Sequence, residues 1–593
     1  MQGLHRFDWG LKGLFLIFAS GWLIFVGFRN EIPADVGDGL MHFFYSQASW
    51  ETPDYFLHHW GKPFFILLSS PFAQFGFNGM IVFNVLVFMG SVLMGYRIMS
   101  HFKVNVWIQC LFPLVLLTAN ELTATLVSGL TEPLFNLAVI VSAWMLINKK
   151  FMWFALIVSL MPFMRSEGQL PLLLALILLV WNRSFSSIPW LFFGFIIYGI
   201  AGIFVYGDFW WYFTLNPYSM ANDIYGSGSW DHYLISYRGY LGNPGLYVMI
   251  VGFLATCFLL LKKRWQELQL EWSFYTHGIF LGVVVAHSYF WATGTNGSMG
   301  LTRIATQGMP LFVLLYLYYV SRIPWFTNKV SILFGIGSVA MCVSLFNSKH
   351  FPVKARLMEK EIIAAADFLE KNSSPSQKIY YHYPLLVYEL GENPFKKGNR
   401  MVFTYFHHLE DDLGKVIKPG SFIVWDSHFG PVEAGLPLEK METFSELVKV
   451  EEFIFAEKEG KPEGVIIYQF IPEKYQVKNL SKETVKIDIK KIDIPAEKEF
   501  IDILPMLPAF NKTTKISLDL IPETEGLILV FDRNGGAQYV PNDLKKGVLN
   551  SFSFNVPGVG EKALYIWNKE FRKSGIKVEK IEMTEQGFHP VMK

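Results

Sequence analysis

The chain has 593 residues, a net charge of +1, 52% hydrophobic side chains and 17% charged ones. No basic excess marks a nucleic-acid partner, and the three cysteines, Cys110, Cys257 and Cys342, all fall in apolar runs, which excludes a disulfide scaffold. The near-neutral balance hides two parts: residues 1–349 carry 18 Lys and Arg and 14 Asp and Glu, whereas the rest carries 33 and 36. A charge-poor, aromatic first part followed by an ordinary polar one predicts a membrane domain over 1–349 and soluble domains after it.

His5, Arg6 and Lys12 precede the first apolar run, and no small-residue cleavage site follows it, so a retained first helix is expected rather than a signal peptide. Apolar runs follow near 11–28, 79–97, 104–119, 132–148, 151–164, 169–182, 189–206, 245–261, 272–291, 306–321 and 329–347. Crossing the hydrocarbon takes about 20 residues, and the runs predict about eleven spans of a polytopic α-helical protein. With the amino terminus cytoplasmic, Lys and Arg concentrate on the cytoplasmic loops, as at Lys149, Lys150 and Lys262–Arg264. An odd number of spans then places everything after His350 outside the cytoplasm. A multi-pass protein of the plasma (inner) membrane with an extracytoplasmic, periplasmic tail is the expectation.

Most acids of the first part sort to the other side, among them Asp35, Asp38, Glu132 and Glu167. The first loop, from Arg29 to about Asn78, is too long for a simple connector. In it "DGLMHFFYSQASW" reads as an amphipathic interfacial helix opened by Asp38, with His42 four residues on and so on the same face. "HHWGKPFF" follows with His58, His59 and Lys62, then an apolar stretch expected to be half buried. Glu132 in "SGLTEPLF" stands at the mouth of a span, where it is either a helix cap or a site residue. Arg165 and Glu167 interrupt two apolar runs in "PFMRSEGQLP", as a mutual salt bridge in a turn or as the lining of a wet cavity. The loop 207–244 is rich in Trp, Tyr, Asn and Asp, which suits either a sugar-stacking surface or an interfacial aromatic belt. Arg303 in "TGTNGSMGLTRIATQGMP" precedes a span on the side where a topology anchor is not needed, and it could meet a phosphate.

In order and sidedness these stretches resemble the GT-C superfamily of multispanning glycosyltransferases. "HHWGKPFFILLSSPFAQFG" is similar to a segment of the protein-mannosyltransferase and lipid A aminoarabinose-transferase branches, and "LTEPLF" and "MRSEG" are similar to mannosyltransferase relatives. The first loop has "ADVGDG" where those branches carry Asp-Glu, which leaves the catalytic acid open between Asp35 and Asp38. The resemblance implies inverting transfer of a sugar from a polyprenyl-phosphate donor to a lipid, glycan or protein acceptor at the extracytoplasmic face. Such transfer needs a base at the acceptor hydroxyl and positive charge at the departing phosphate. Asp38 is the expected base with Asp35 as second choice. Lys62, Arg165 and Arg303 are the expected phosphate holders. Glu132 and Glu167 would orient Arg165 or bind sugar hydroxyls, and His42, His58 and His59 would bind substrate. No compact metal signature exists, although Asp38 with His42, His58 or His59 could supply ligands to a divalent ion. A lipid-linked glycan transporter or flippase and a non-catalytic envelope assembly protein are the competing classes. The charges gather at one face rather than at a midplane, and no inverted repeat is evident, which speaks against the transporter.

Beyond the last run, "ARLMEKEIIAAADFLEK" has helical periodicity, and "KIYYHYPLLVYEL", "MVFTYF", "SFIVWD" and "GVIIYQF" read as strands, predicting a small α/β domain over 350–472. Asp426 and His428 end one of these strands, as a site or as an ordinary loop. From 473 to 593, strands at regular spacing predict a jelly-roll-like β-sandwich, suited to glycan binding or to docking.

Overall fold

The structure is a computed structural model, and it describes residues 2–217, 225–323, 328–403, 417–458, 461–471, 484–508, 514–533, 538–556 and 562–585. These divide into two compact units, residues 1–354 with 395–399, and residues 355–394 with 400–593.

The first unit is helical. Its helices are α1 (Gln2–Phe28), α2 (Asp38–Ala48), α3 (Pro63–Ala73), α4 (Phe77–His101), α5 (Val106–Leu117), α6 (Asn120–Leu126), α7 (Glu132–Ile147) and α8 (Phe151–Leu160). They continue with α9 (Gln169–Trp181), α10 (Phe193–Tyr206), α11 (Trp211–Thr214), α12 (His232–Ile235), α13 (Tyr237–Leu261), α14 (Leu270–Thr293), α15 (Met309–Val320) and α16 (Asn328–Phe346). Each apolar run read in the sequence lies largely within a helix. Among the described residues four segments are long and apolar enough to cross a membrane: Asp8–Phe28, Phe77–His101, Phe185–Tyr206 and Tyr237–Leu261. The pair α5 and α6, bent by 82°, makes up to five. Six other apolar helices run only 10–17 residues, short of the ~20 that a perpendicular crossing needs, so length and composition do not establish eleven spans.

The bundle is organised around α15, which is buried along its whole length and packs against α13, α14, α5 and α7. A helix apolar all round belongs at the centre, where no face meets solvent or lipid. The break between α5 and α6 is fitted to α13. Gly242, at φ 66°, lies so close that a Cβ there would be 2.5 Å from the Thr118 carbonyl oxygen. Only glycine combines that backbone with that approach.

One local expectation changes. The helix opened by Asp38 is present, but α2 buries Leu40, His42, Phe43, Phe44, Tyr45, Ser46 and Ala48, and so is no amphipathic surface helix. Its aromatic residues meet protein on both sides, as in Phe43 against Phe77 and Tyr45 stacked on His58.

In the second unit, α17 (Leu357–Asn372) buries Ile362, Ala365, Ala366 and Leu369, the face set by its periodicity. A five-stranded sheet follows, built from β1 (Ile379–Tyr381), β2 (Met401–Phe403), β3 (Phe422–Asp426), β4 (Leu447–Lys458) and β5 (Lys461–Phe470), in the order β2-β1-β3-β5-β4. β1 pairs with β2 and β3 in parallel, while β5 runs antiparallel to β3 and β4. The stretch "KIYYHYPLLVYEL" is not one strand. After β1 it turns into α18 (Pro384–Glu389), because a proline suits a first helical turn but would deny a sheet its ladder hydrogen bond. Asp426 ends β3 and accepts the backbone N–H groups of His428 (3.0 Å) and Phe429 (2.6 Å), so its carboxylate ties the following turn. Beyond β5 the described residues form two sheets from nine strands: β6 (Thr484–Lys486), β7 (Lys491–Ile494), β8 (Phe500–Asp502), β9 (Thr514–Pro522), β10 (Leu527–Arg533), β11 (Gln538–Asp543), β12 (Asn550–Val556), β13 (Lys562–Asn568) and β14 (Ser574–Glu585). The orders are β11-β10-β13-β8 and β12-β9-β14-β6, with β7 also on β14. Ile516, Leu518 and Leu520 of β9 share one apolar cluster with Leu527, Leu529 and Phe531 of β10, as facing sheets of a sandwich do.

Candidate functional site

The charged residues singled out in the first unit converge. Asp35 lies in the coil before α2, and its Oδ1 accepts the Gly39 N–H at 2.8 Å, satisfying one of the unpaired donors of that helix start. Asp38 is the first residue of α2. Arg303 sits in a 3₁₀ turn, Thr302–Thr306, ahead of α15, and its guanidinium donates to both Asp35 and Asp38. Its Nε is 3.6 Å from Oε1 of Glu132, the first residue of α7, which has no exposed side-chain surface. The same oxygen is 2.9 Å from Nη1 of Arg165. Neither Glu132 oxygen makes an aligned hydrogen bond, so these contacts act as ion pairs through space. Arg165 also donates to Thr131 Oγ1 at 2.8 Å and to Glu167 at 3.2 and 3.3 Å.

Glu167 belongs to the tight turn Ser166–Gly168 before α9, so the mutual salt bridge expected in that turn is present. It does not stand alone. Glu167 Oε1 accepts Gln307 Nε2 at 2.8 Å and lies 3.5 Å from Nε2 of His287 on α14. Lys62 Nζ donates to Ser166 Oγ at 2.9 Å, which brings the ammonium to the neighbouring residue of the same turn. Lys62 itself has φ 65°, a left-handed backbone that costs a non-glycine residue roughly 1–2 kcal/mol and persists where surrounding contacts over-determine it.

A close backbone approach sets the position of α2. A Cβ on Gly129 would lie 2.2 Å from the carbonyl oxygen of Gly39, the residue after Asp38. Gly129→Ala should therefore push the start of α2 away from the segment between α6 and α7 and destabilise the fold by about 1–3 kcal/mol, the usual cost of overpacking. A melting temperature equal to wild type in thermal unfolding of the detergent-purified protein would refute that.

The histidines of the first loop take more local roles. His58 Nδ1 accepts the Gly61 N–H at 3.1 Å, and its ring stacks on Tyr45 at 4.2 Å. His59 Nε2 bonds the Tyr212 carbonyl at 3.0 Å and its ring stacks on Tyr212 at 4.7 Å. Burial, with the Lys62 charge behind it, pushes both imidazoles down to about 4, so they are neutral at ordinary pH. His42, one turn after Asp38, stacks on Trp60 at 4.7 Å and is held neutral by burial and by Lys62, Arg165 and Arg303. Among the described residues no group of three or more His, Cys, Asp and Glu could hold a metal ion.

Asp38 differs from the other acids. Its carboxyl is raised above the usual range by burial, against the lowering effect of Arg303, yet 44% of its side-chain surface is accessible. In the loop 207–244 the two described acids serve local turns: Asp208 accepts the Trp210 N–H at 2.7 Å, and Asp231 accepts the Ser229 hydroxyl. Residues 218–224 of that loop lie outside the described residues. Three participants went unread in the sequence: His287, Gln307 and Thr131. The signal was present for two of them, since His287 in "VVVAHSYFW" and Gln307 in "IATQGMP" are polar breaks in apolar context.

Asp38, Glu132, Glu167 and Arg303 each stand at or shortly before the start of an apolar helix. Helix starts favour negative charge, so they suit carboxylates and any anionic ligand alike. The arrangement offers two guanidiniums and an ammonium beside one accessible carboxylate.

No protein-family model and no curated protein matches the sequence. A crystal structure of ArnT from Cupriavidus metallidurans bound to undecaprenyl phosphate is similar in the course of its chain, with 10% identity, 80% of this chain and 99% of that chain covered, and a TM-score of 0.48.

Proposed function

We propose that this chain is an integral membrane glycosyltransferase that moves a sugar from a polyprenyl-phosphate donor to a lipid, glycan or protein acceptor at the extracytoplasmic face, with inversion. The observation that supports it is the convergence of four separate stretches, around Asp38, Glu132, Arg165 and Arg303, on one network of paired cations and carboxylates. Asp38 takes the proton of the acceptor hydroxyl as that oxygen bonds to the anomeric carbon. The bond from this carbon to the phosphate oxygen breaks, and the phosphate leaves with the electron pair. Arg165, Arg303 and Lys62 stabilise its growing charge, and Asp35, Glu132 and Glu167 hold the two guanidiniums in place. His42 flanks the base, while His58 and His59 shape the loop that carries Lys62. The purified protein in liposomes should release polyprenyl phosphate from a polyprenyl-phosphate sugar only when acceptor is present. No turnover with any hexose or pentose donor, in membranes that also supply acceptors, would refute this reading.

In the same proposal the eleven apolar runs all cross the plasma membrane, the shorter ones completed by flanking turns, and the tail is extracytoplasmic. Protease added to intact spheroplasts should then remove the residues beyond about 350, as the Lys and Arg bias of the loops requires. Cleavage only in inverted vesicles would overturn the topology.

A further inference from the structure

Each nitrogen of the Arg303 guanidinium group faces a carboxylate: it donates to Asp35 and Asp38, and its Nε lies 3.6 Å from Glu132. Three of the five N–H donors of this guanidinium are thus turned to carboxylates, so a phosphate that takes a two-oxygen pairing competes with them for it. The three carboxylates are not equally replaceable. Glu132 has no exposed surface and also pairs with Arg165 at 2.9 Å. Asp35 is 15% exposed and is held a second time, by the Gly39 N–H at 2.8 Å. Asp38 is 44% exposed, and among the described residues Arg303 is its one hydrogen-bond partner.

We propose that Asp38 is the arm that a lipid-linked phosphate displaces from Arg303, so that capture of the donor and release of the base are a single event. This rests on the reading of Arg303 as a phosphate holder and Asp38 as the base, and it adds an order: the donor binds before any acceptor hydroxyl can be deprotonated. A phosphate offers the guanidinium a two-oxygen, charge-assisted pairing that a carboxylate bound through one oxygen does not. Once away from the guanidinium, the carboxylate loses the neighbour that favoured its charged form and becomes the stronger base. Asp35 and Glu132 keep Arg303 in place throughout.

The latch makes phosphate affinity and catalysis respond in opposite directions to one substitution. Binding of farnesyl phosphate to the full-length protein in detergent is the measurement, with farnesol as the control for the hydrocarbon chain. Asp38→Asn and Asp38→Ser should both bind farnesyl phosphate more tightly than wild type. The gain is about tenfold if the latched state is populated about nine to one, because the competing state is removed. Farnesol affinity should not change. Asp35→Asn should give no such gain, since Asp35 is the fixed arm. Unchanged or weaker phosphate binding by both Asp38 variants, or an equal gain in Asp35→Asn, would overturn the latch. Arg303→Ala separates the two proposals: undiminished phosphate binding there removes Arg303 as the holder, whereas weakened binding with no gain in the Asp38 variants defeats the latch alone.

Discussion

Asp38→Asn should lower sugar transfer by about 10²–10⁴-fold, the range typical for loss of a general base. The amide keeps the size and the hydrogen-bonding capacity of the side chain at the start of α2 but cannot accept a proton. Asp35→Asn should cost less, because Asp35 is 15% exposed against 44% for Asp38, pairs with Arg303 and with the Gly39 N–H, and so shapes the loop. The pH profile gives a second check. Burial raises the Asp38 carboxyl while Arg303 lowers it, and the net direction is upward. A base works only when ionised, so the rate should be lost as pH falls through that raised value, at higher pH than an ordinary aspartate would give. The acid limb should vanish in Asp38→Asn. Near-normal transfer in that variant beside a dead Asp35→Asn would reassign the base to Asp35, and normal transfer in both would refute the mechanism.

The second large effect concerns Glu132. Its carboxylate, without exposed surface, lies 2.9 Å from Arg165 and 3.6 Å from Arg303. Glu132→Gln leaves two guanidiniums around a neutral amide, and removing one partner of a buried ion pair typically costs about 3–5 kcal/mol. The lower end applies here, because Arg165 keeps Glu167 and Thr131, and Arg303 keeps Asp35 and Asp38. The melting temperature of the purified protein should fall by several degrees, and phosphate binding should weaken with it as both cations lose their shared anchor. A variant as stable as wild type would mean that the arginines are organised without Glu132.

By itself the sequence determined where helices form. Apolar runs separated by polar breaks leave the chain few alternatives, and each run in the first part lies largely in a helix. It also marked Asp38, Glu132, Arg165 and Arg303 as polar residues that precede or interrupt apolar runs. Local rules failed where two signals competed. "PLLVYE" is apolar enough for a strand, but Pro384 starts a helix there, and the polar positions of α2 predict an interfacial helix, whereas Phe77 and His58 cover its aromatic residues. Only the tertiary structure decided the pairing. Arg303 meets Asp35 across 268 residues and Asp38 across 265, separations at which periodicity and spacing carry no information. The packing of α7, of α14 and of the turn before α15 placed Glu132 against Arg165 and Arg303, and His287 and Gln307 against Glu167. Charges taken out of water must find partners, and which partners they find depends on which helix ends the close-packed bundle brings together.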